Sequence, residues 1–267
     1  MSAVMPSTTT QTTNQAAAAT ETGRRIVNMK PAIFAMLGVL AIMMGYRIYQ
    51  QIYAFSAGLD STDPRFDTYW MNLLKIELPV FVTCWIALWS WLWITRDKHL
   101  DKLKPREELR RYVNTVLFIM VYAFCVYFTG SFFAEMDASW HQTVVRDTSF
   151  TPSHIILFYA TIPIYILFGV GSFIYATTRL PKFAARISIP FTIAVAGPFL
   201  ILPNLGYNEW GHAFWMMEEF FSAPLHWGFV VLGWSVLSLG GLFVQIVQHM
   251  YELMQRIDAE SPAVAAH

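Results

Sequence analysis

Six stretches of this chain stay apolar for about the twenty residues that one helix needs to cross the hydrocarbon of a bilayer. They run over approximately 32–56, 71–95, 112–134, 155–178, 187–206 and 225–249. Backbone placed in lipid must satisfy its own hydrogen bonds, so only helices and closed barrels span it, and continuous apolar runs of this length select helices. The composition agrees, with 13% charged residues against about 25% in an ordinary soluble domain. The expected fold class is therefore all-α, an integral membrane bundle of six transmembrane helices. Lys plus Arg and Asp plus Glu balance at 18 each, so no basic excess suggests nucleic acid. Cys84 and Cys125 both sit inside apolar runs and read as small packing residues rather than a disulfide or metal framework.

Sidedness follows from where the basic residues lie. All but Arg47, Arg65, Lys75 and Arg146 fall before span 1, between spans 2 and 3, between spans 4 and 5, or after span 6. Both termini are thus expected to be cytoplasmic. Residues 1–23, rich in Ser, Thr, Gln and Ala, cannot bury enough surface to offset the entropy of ordering and read as a tail. The helical domain is placed at 24–250, with a second tail at 251–267. No signal-peptide pattern opens the chain, so the first apolar run is read as an anchor. Span 5 holds Pro190, Pro198 and Pro203, which predicts a kinked helix whose freed carbonyls find partners on neighbours. Trp85, Trp89, Trp91 and Trp93, leading to Arg96, read as an interfacial belt. Segment 96–111 reads as a charged connector with a short helix after Pro105, and His99, His249 and His267 have no partner at ligand spacing.

The remaining four histidines share the opposite side, in outer connectors at 135–154 and 207–226. Asp137 and His141 stand at i and i+4, with His154 thirteen residues on; Asn208 and His212 repeat the spacing, with His226 fourteen on. An i,i+4 pair on a helix shares one face at roughly 5–6 Å between Cβ atoms, near enough to hold one ion. The third donor returns in Pro152-Ser153-His154 and Pro224-Leu225-His226, where proline suits the first helical position and sets each histidine in the first turn of the next span. Three protein ligands with open positions is the arrangement of a catalytic metal. Asp with two His suits non-haem iron, copper or zinc; Asn with two His binds less strongly. The competing reading is that the histidines only hydrogen-bond and that Asp137 and Asn208 cap helices.

Glu135, Arg146, Asp147, Glu209, Glu218 and Glu219 are candidates to orient ligand imidazoles, or form a solvated acidic surface. Met216 and Met217 read as apolar lining rather than copper ligands. Arg47, and Lys75 with Glu77, lie near outer span ends, where snorkelling or ion pairing is sufficient. A metal transporter would line several span interiors with polar residues, whereas these are almost purely apolar. A scaffold with vestigial histidines is the other alternative.

The stretches GLDSTDPRFDTYWMN, DASWHQTVVRDTSFTPSHII, ATTRLPKFAARIS, GPFLILPNLGYNEWGHAFWMMEE and SAPLHWGFVVLGW resemble the C subunit of the copper membrane monooxygenases, the family of ammonia monooxygenase and particulate methane monooxygenase, over about residues 45–245. The resemblance implies a copper-dependent, O2-using enzyme that oxidises ammonia to hydroxylamine or methane to methanol. It implies assembly with the A and B subunits as a trimer of heterotrimers in a bacterial inner (intracytoplasmic) membrane, with the metal clusters toward the periplasm. It also implies metal ligation by Asp137, His141 and His154 and by Asn208, His212 and His226, one or two copper ions in all, with quinol as electron donor. Oxygen chemistry is assigned to the Asp137, His141 and His154 set, because a carboxylate better stabilises an oxidised metal. DASWHQ, DTSFTPSH and FSAPLHWGF favour ammonia, whereas GLDSTDPRFDTYWMN and KPREELRR resemble methane-type relatives too; short alkanes are a third substrate class.

Overall fold

Proline begins nearly every helix of the bundle, because a missing N–H costs nothing in the first turn. A computed structural model describes residues 27–133, 136, 137, 140, 150–200 and 226–265, without the side chains of 131, 199, 200, 226–232 and 261–265. Helix α1, Lys30–Ala57, has Pro31 in its first turn. Helix α2, Pro64–Ile94, is capped by the Asp63 carboxylate, which accepts from the Arg65 N–H at 2.8 Å. Helix α3, Pro105–Phe128, runs on through Thr129–Phe133 in wider turns. Helix α4 is Pro152–Arg179 and α5 is Pro181–Ala185. Helix α6, Ile189–Ala196, is capped by Ser188, whose hydroxyl accepts from the Phe191 N–H, and continues as Gly197–Leu200. Helix α7 comprises His226–Gly240 and Gly241–Ala265. Among the described residues there is no strand.

Helix α4 is the centre of the bundle. It packs against α2, α3 and α6, and 72% of its most apolar stretch is buried, against 17% for α1 and 11% for α2, which lie at the outside of the bundle. Close approach is set by two glycines on α4. A Cβ at Gly169 would lie 2.7 Å from the Tyr122 ring, and one at Gly171 would lie 2.9 Å from Phe118. Trp85 and Trp89 stack on each other and donate their indole N–H groups to the Pro163 and Leu167 carbonyls of α4 at 2.9 and 3.2 Å. They are helix-to-helix ties rather than the interfacial belt expected of them; Trp91 and Trp93 are the exposed members of that run.

The prolines inside the bundle are accommodated by neighbours, as lipid requires. Pro198 cannot donate to the Ala194 carbonyl, one turn back. That oxygen instead accepts from the Tyr122 hydroxyl at 2.8 Å and from the Trp234 indole at 2.7 Å, while the Tyr165 hydroxyl donates to the Pro198 carbonyl at 3.0 Å. Before Pro163, α4 widens over Leu157–Thr161, and the Ile162 N–H reaches back five residues to the Leu157 carbonyl. The buried Thr161 hydroxyl donates to the same oxygen at 2.8 Å.

Four helices, α1 to α4, are long and apolar enough to cross a membrane among the described residues. The fifth expected span is represented by α6 as far as Leu200, and the sixth falls within α7. Three boundaries differ from the expected spans. Helix α2 starts at Pro64 rather than 71, α3 starts at Pro105, so the short helix expected there is its first turn, and α7 continues to Ala265, past the span end expected at 249. One cause serves the last two, since Leu109 and Tyr112 of α3, Phe183 of α5, and Ile246 and Leu253 of α7 share a second buried cluster. That same end gathers basic residues. Arg111 pairs with Asp97 at 2.8 Å and donates to the Arg179 carbonyl, Arg179 reaches the Leu92 carbonyl and Thr95, and Lys182 lies 3.8 Å from Glu252.

Candidate metal centre

The opposite end of the bundle carries the acid and imidazole chemistry. Pro152 is the first residue of α4, as its position before Ser153-His154 predicts, and His154 sits in the first helical turn. From there the imidazole points into protein, not solvent, with its side chain 4% exposed. Its ring lies 4.7 Å from that of Phe158, one turn along. Asp137 comes from the segment after α3, in which Met136, Asp137 and Trp140 are helical. Its carboxylate is 3% exposed, and Oδ1 faces His154 Nε2 at 3.4 Å.

That separation is long for a good N–H···O hydrogen bond, which prefers about 2.9–3.0 Å. It suits two donors on one ion: ligands at about 2.0–2.2 Å and a tetrahedral angle stand about 3.3 Å apart. The donor set, one carboxylate oxygen and one imidazole nitrogen, both buried, fits a borderline divalent or cupric ion. Two of the six expected ligands are therefore brought together. His141, Asn208 and His212 lie outside the described residues, as do Glu135, Arg146, Asp147, Glu209, Met216, Met217, Glu218 and Glu219. His226 opens α7 as a helical residue, but its side chain falls outside the description.

The shell that holds this pair contains residues the sequence reading did not single out. Gly58, just past α1, is where the chain passes under α4. A Cβ there would run into Pro152 Cγ and the Ala54 carbonyl, and would lie 3.0 Å from Trp70 Nε1. Only hydrogen fits, so the first turn of α4 rests on a glycine. Trp140, buried one turn after Asp137, packs its ring on Phe55 at 5.2 Å. Helical spacing from the expected ligands is the signal that finds Trp140 and Phe158; nothing local marks Gly58, whose constraint, Pro152, is nearly a hundred residues away.

Glu77 corrects an expectation. It is 3% exposed, with no cation in ion-pair reach among the described residues, so neither snorkelling nor pairing explains it. Lys75 instead reaches Asn72 at 3.4 Å, and Arg47 lies over the Phe132 ring at 5.2 Å. Both cysteines are free, Cys125 buried and Cys84 exposed.

No curated protein matches the chain significantly. A family model, however, matches it over residues 11–257, nearly its whole length, and describes the C subunit of ammonia monooxygenase/methane monooxygenase. An all-helical bundle with four helices long and apolar enough to cross a membrane is in keeping with that match, and the chain belongs to this family of monooxygenase subunits.

Proposed function

We propose that this chain is a metal-carrying subunit of a copper-dependent membrane monooxygenase, with ammonia as the favoured substrate and hydroxylamine as its product. The observation that carries the reading is the 3.4 Å approach of Asp137 Oδ1 to His154 Nε2, both side chains buried. His141, four residues after Asp137 in sequence, completes the proposed set, and Asn208, His212 and His226 form a second. When bound, copper supplies the O2-activating redox chemistry. The protein's part is to bind and orient. Asp137 contributes the negative charge that offsets a cation in a low-dielectric site, and Pro152 and Gly58 fix the turn that presents the imidazole. Phe158 and Trp140 help keep water from the donors. The A and B subunits are the proposed partners, in a trimer of heterotrimers, with quinol as reductant. The distribution of basic residues supports six spans, cytoplasmic termini and a periplasmic placement of the metal end in a bacterial inner membrane.

Metal analysis of the intact membrane complex tests this. Replacing His154 or Asp137 by Ala should remove one metal equivalent and abolish turnover; unchanged metal content with full activity would sink the reading and leave a scaffold role. Methane is the second reading, favoured by the GLDSTDPRFDTYWMN and KPREELRR stretches. Whole-membrane turnover on each gas separates the two.

A further inference from the structure

Helix α2 carries a carboxylic acid into the apolar part of the bundle. Glu77 is flanked by exposed Ile76 and Leu78, yet is itself 3% exposed. Among the described residues neither of its oxygens meets a partner at hydrogen-bond geometry. The polar groups facing it come from α1: the Tyr46 hydroxyl, which is close enough to interact, and Tyr49 beyond it. Tyr49 is committed elsewhere, donating to the Tyr69 carbonyl at 2.6 Å. A bare carboxylate in such surroundings is strongly disfavoured, and an ionisable group inside a membrane marks a functional site by default. The neutral acid is the form this setting accommodates.

A surface depression adjoins the acid. Ile42, Gly45, Tyr46, Tyr49 and Leu73 line this shallow, open cleft of about 270 Å³ between α1 and α2. Leu73 stands one helical turn before Glu77 on the same face, and Tyr46 touches both cleft and carboxyl. At Gly45 the cleft is open space, since a Cβ there would meet nothing within 4 Å.

We propose that Glu77 is a proton-binding site within the membrane, which gains and loses its proton through the Tyr46 hydroxyl and the cleft between α1 and α2. On release, the Glu77 O–H breaks as a new O–H forms on Tyr46, and the original Tyr46 proton passes to a water molecule or other base in the cleft. Tyr46 ends neutral and Glu77 ends as the carboxylate. Seven residues back along α2, about 10 Å by helical rise, Trp70 packs at Gly58 beneath the His154 turn. Glu77 thereby becomes a proton store near chemistry that reduces O2 and consumes protons. That use rests on the proposed function; the proton binding does not.

Infrared spectroscopy of the intact complex in its membrane reads the site directly. A protonated-carboxyl C=O band should be present, shift down on transfer to D2O, and vanish in Glu77→Gln with metal content unchanged. Tyr46→Phe should keep the band but slow its shift. In the unsubstituted complex, a lipophilic carbodiimide should leave an N-acylurea on Glu77, located by peptide mass spectrometry. A missing band, a band indifferent to D2O, or no adduct at Glu77 would overturn the proposal. So would wild-type exchange in Tyr46→Phe, or metal loss in Glu77→Gln, which would make Glu77 a packing residue. If His154→Ala keeps its metal while the Glu77 band behaves as described, the metal assignment fails and the proton site stands.

Discussion

The Ala194 carbonyl is a point where removing donors should show strong coupling. Pro198 leaves it without its helical partner, and it accepts from Tyr122 at 2.8 Å and Trp234 at 2.7 Å. Either donor alone still satisfies it. Tyr122→Phe should therefore cost no more than an average interhelical hydrogen bond, about 0.6 kcal/mol. Trp234→Phe adds the loss of indole packing to a similar sum. The double variant strands the carbonyl in an apolar interior, which costs about 1–3 kcal/mol for an unsatisfied buried group, so it should exceed the sum of the singles by about 1 kcal/mol or more. Pro198→Ala supplies the internal control, because residue 198 then donates to Ala194 and the excess should fall toward zero. Unfolding free energies of the purified complex in mixed micelles, followed by far-ultraviolet circular dichroism, complete the cycle. A double variant that is merely additive, or an excess that survives Pro198→Ala unchanged, would refute the account of this carbonyl as the shared link.

Other consequences are open to measurement. Gly58→Ala should force the Pro152 turn off its seat, lowering stability by about 1–3 kcal/mol as overpacking does and reducing metal bound per protomer; normal metal loading would show that the turn adapts. Gly169→Ala meets the fully buried Tyr122 ring at 2.7 Å and should destabilise by a similar amount without touching metal content, which separates packing from ligation. Asp97 is held below the ordinary carboxylate range, first by the His99 N–H and then by the Arg111 guanidinium. A depressed folded value means its contribution is complete above the unfolded value of about 3.9 and is lost as pH falls through the folded one. Asp97→Asn should flatten that acid limb of a stability-versus-pH curve, and an unchanged limb would assign it to other carboxylates. Asp137→Asn preserves shape but removes charge, so metal affinity should drop with little change in melting; equal affinity would argue against ligation by Asp137.

Much of the fold was legible because lipid imposes a length and a polarity on any helix that crosses it. Apolar runs of about twenty residues announced α1 to α4, and Pro152 marked the start of α4, whereas α2 and α3 begin seven residues before the runs that announce them. Likewise Asp137 and His154 were legible as candidate ligands from type and spacing alone, with Pro152 marking the turn that presents the imidazole. What the one-dimensional pattern does not contain is which distant groups meet. Trp85 and Trp89 look like belt residues in sequence because an indole suits the interface, yet an N–H buried at a helix contact takes a carbonyl on α4 instead. Glu77 looked like an end-of-span residue; only the tertiary packing that brings Tyr46 of α1 to its carboxyl buries it. Gly58 carries no local mark, because its constraint is Pro152, brought to it by the path of two intervening helices. Segment lengths, helix starts and the chemical identity of the donors are local properties, set by the solvent and by neighbouring residues. The 3.4 Å meeting of Asp137 with His154, the re-satisfied Ala194 carbonyl and the seclusion of Glu77 are long-range properties, decided when helices with interchangeable apolar surfaces settle into one mutual arrangement.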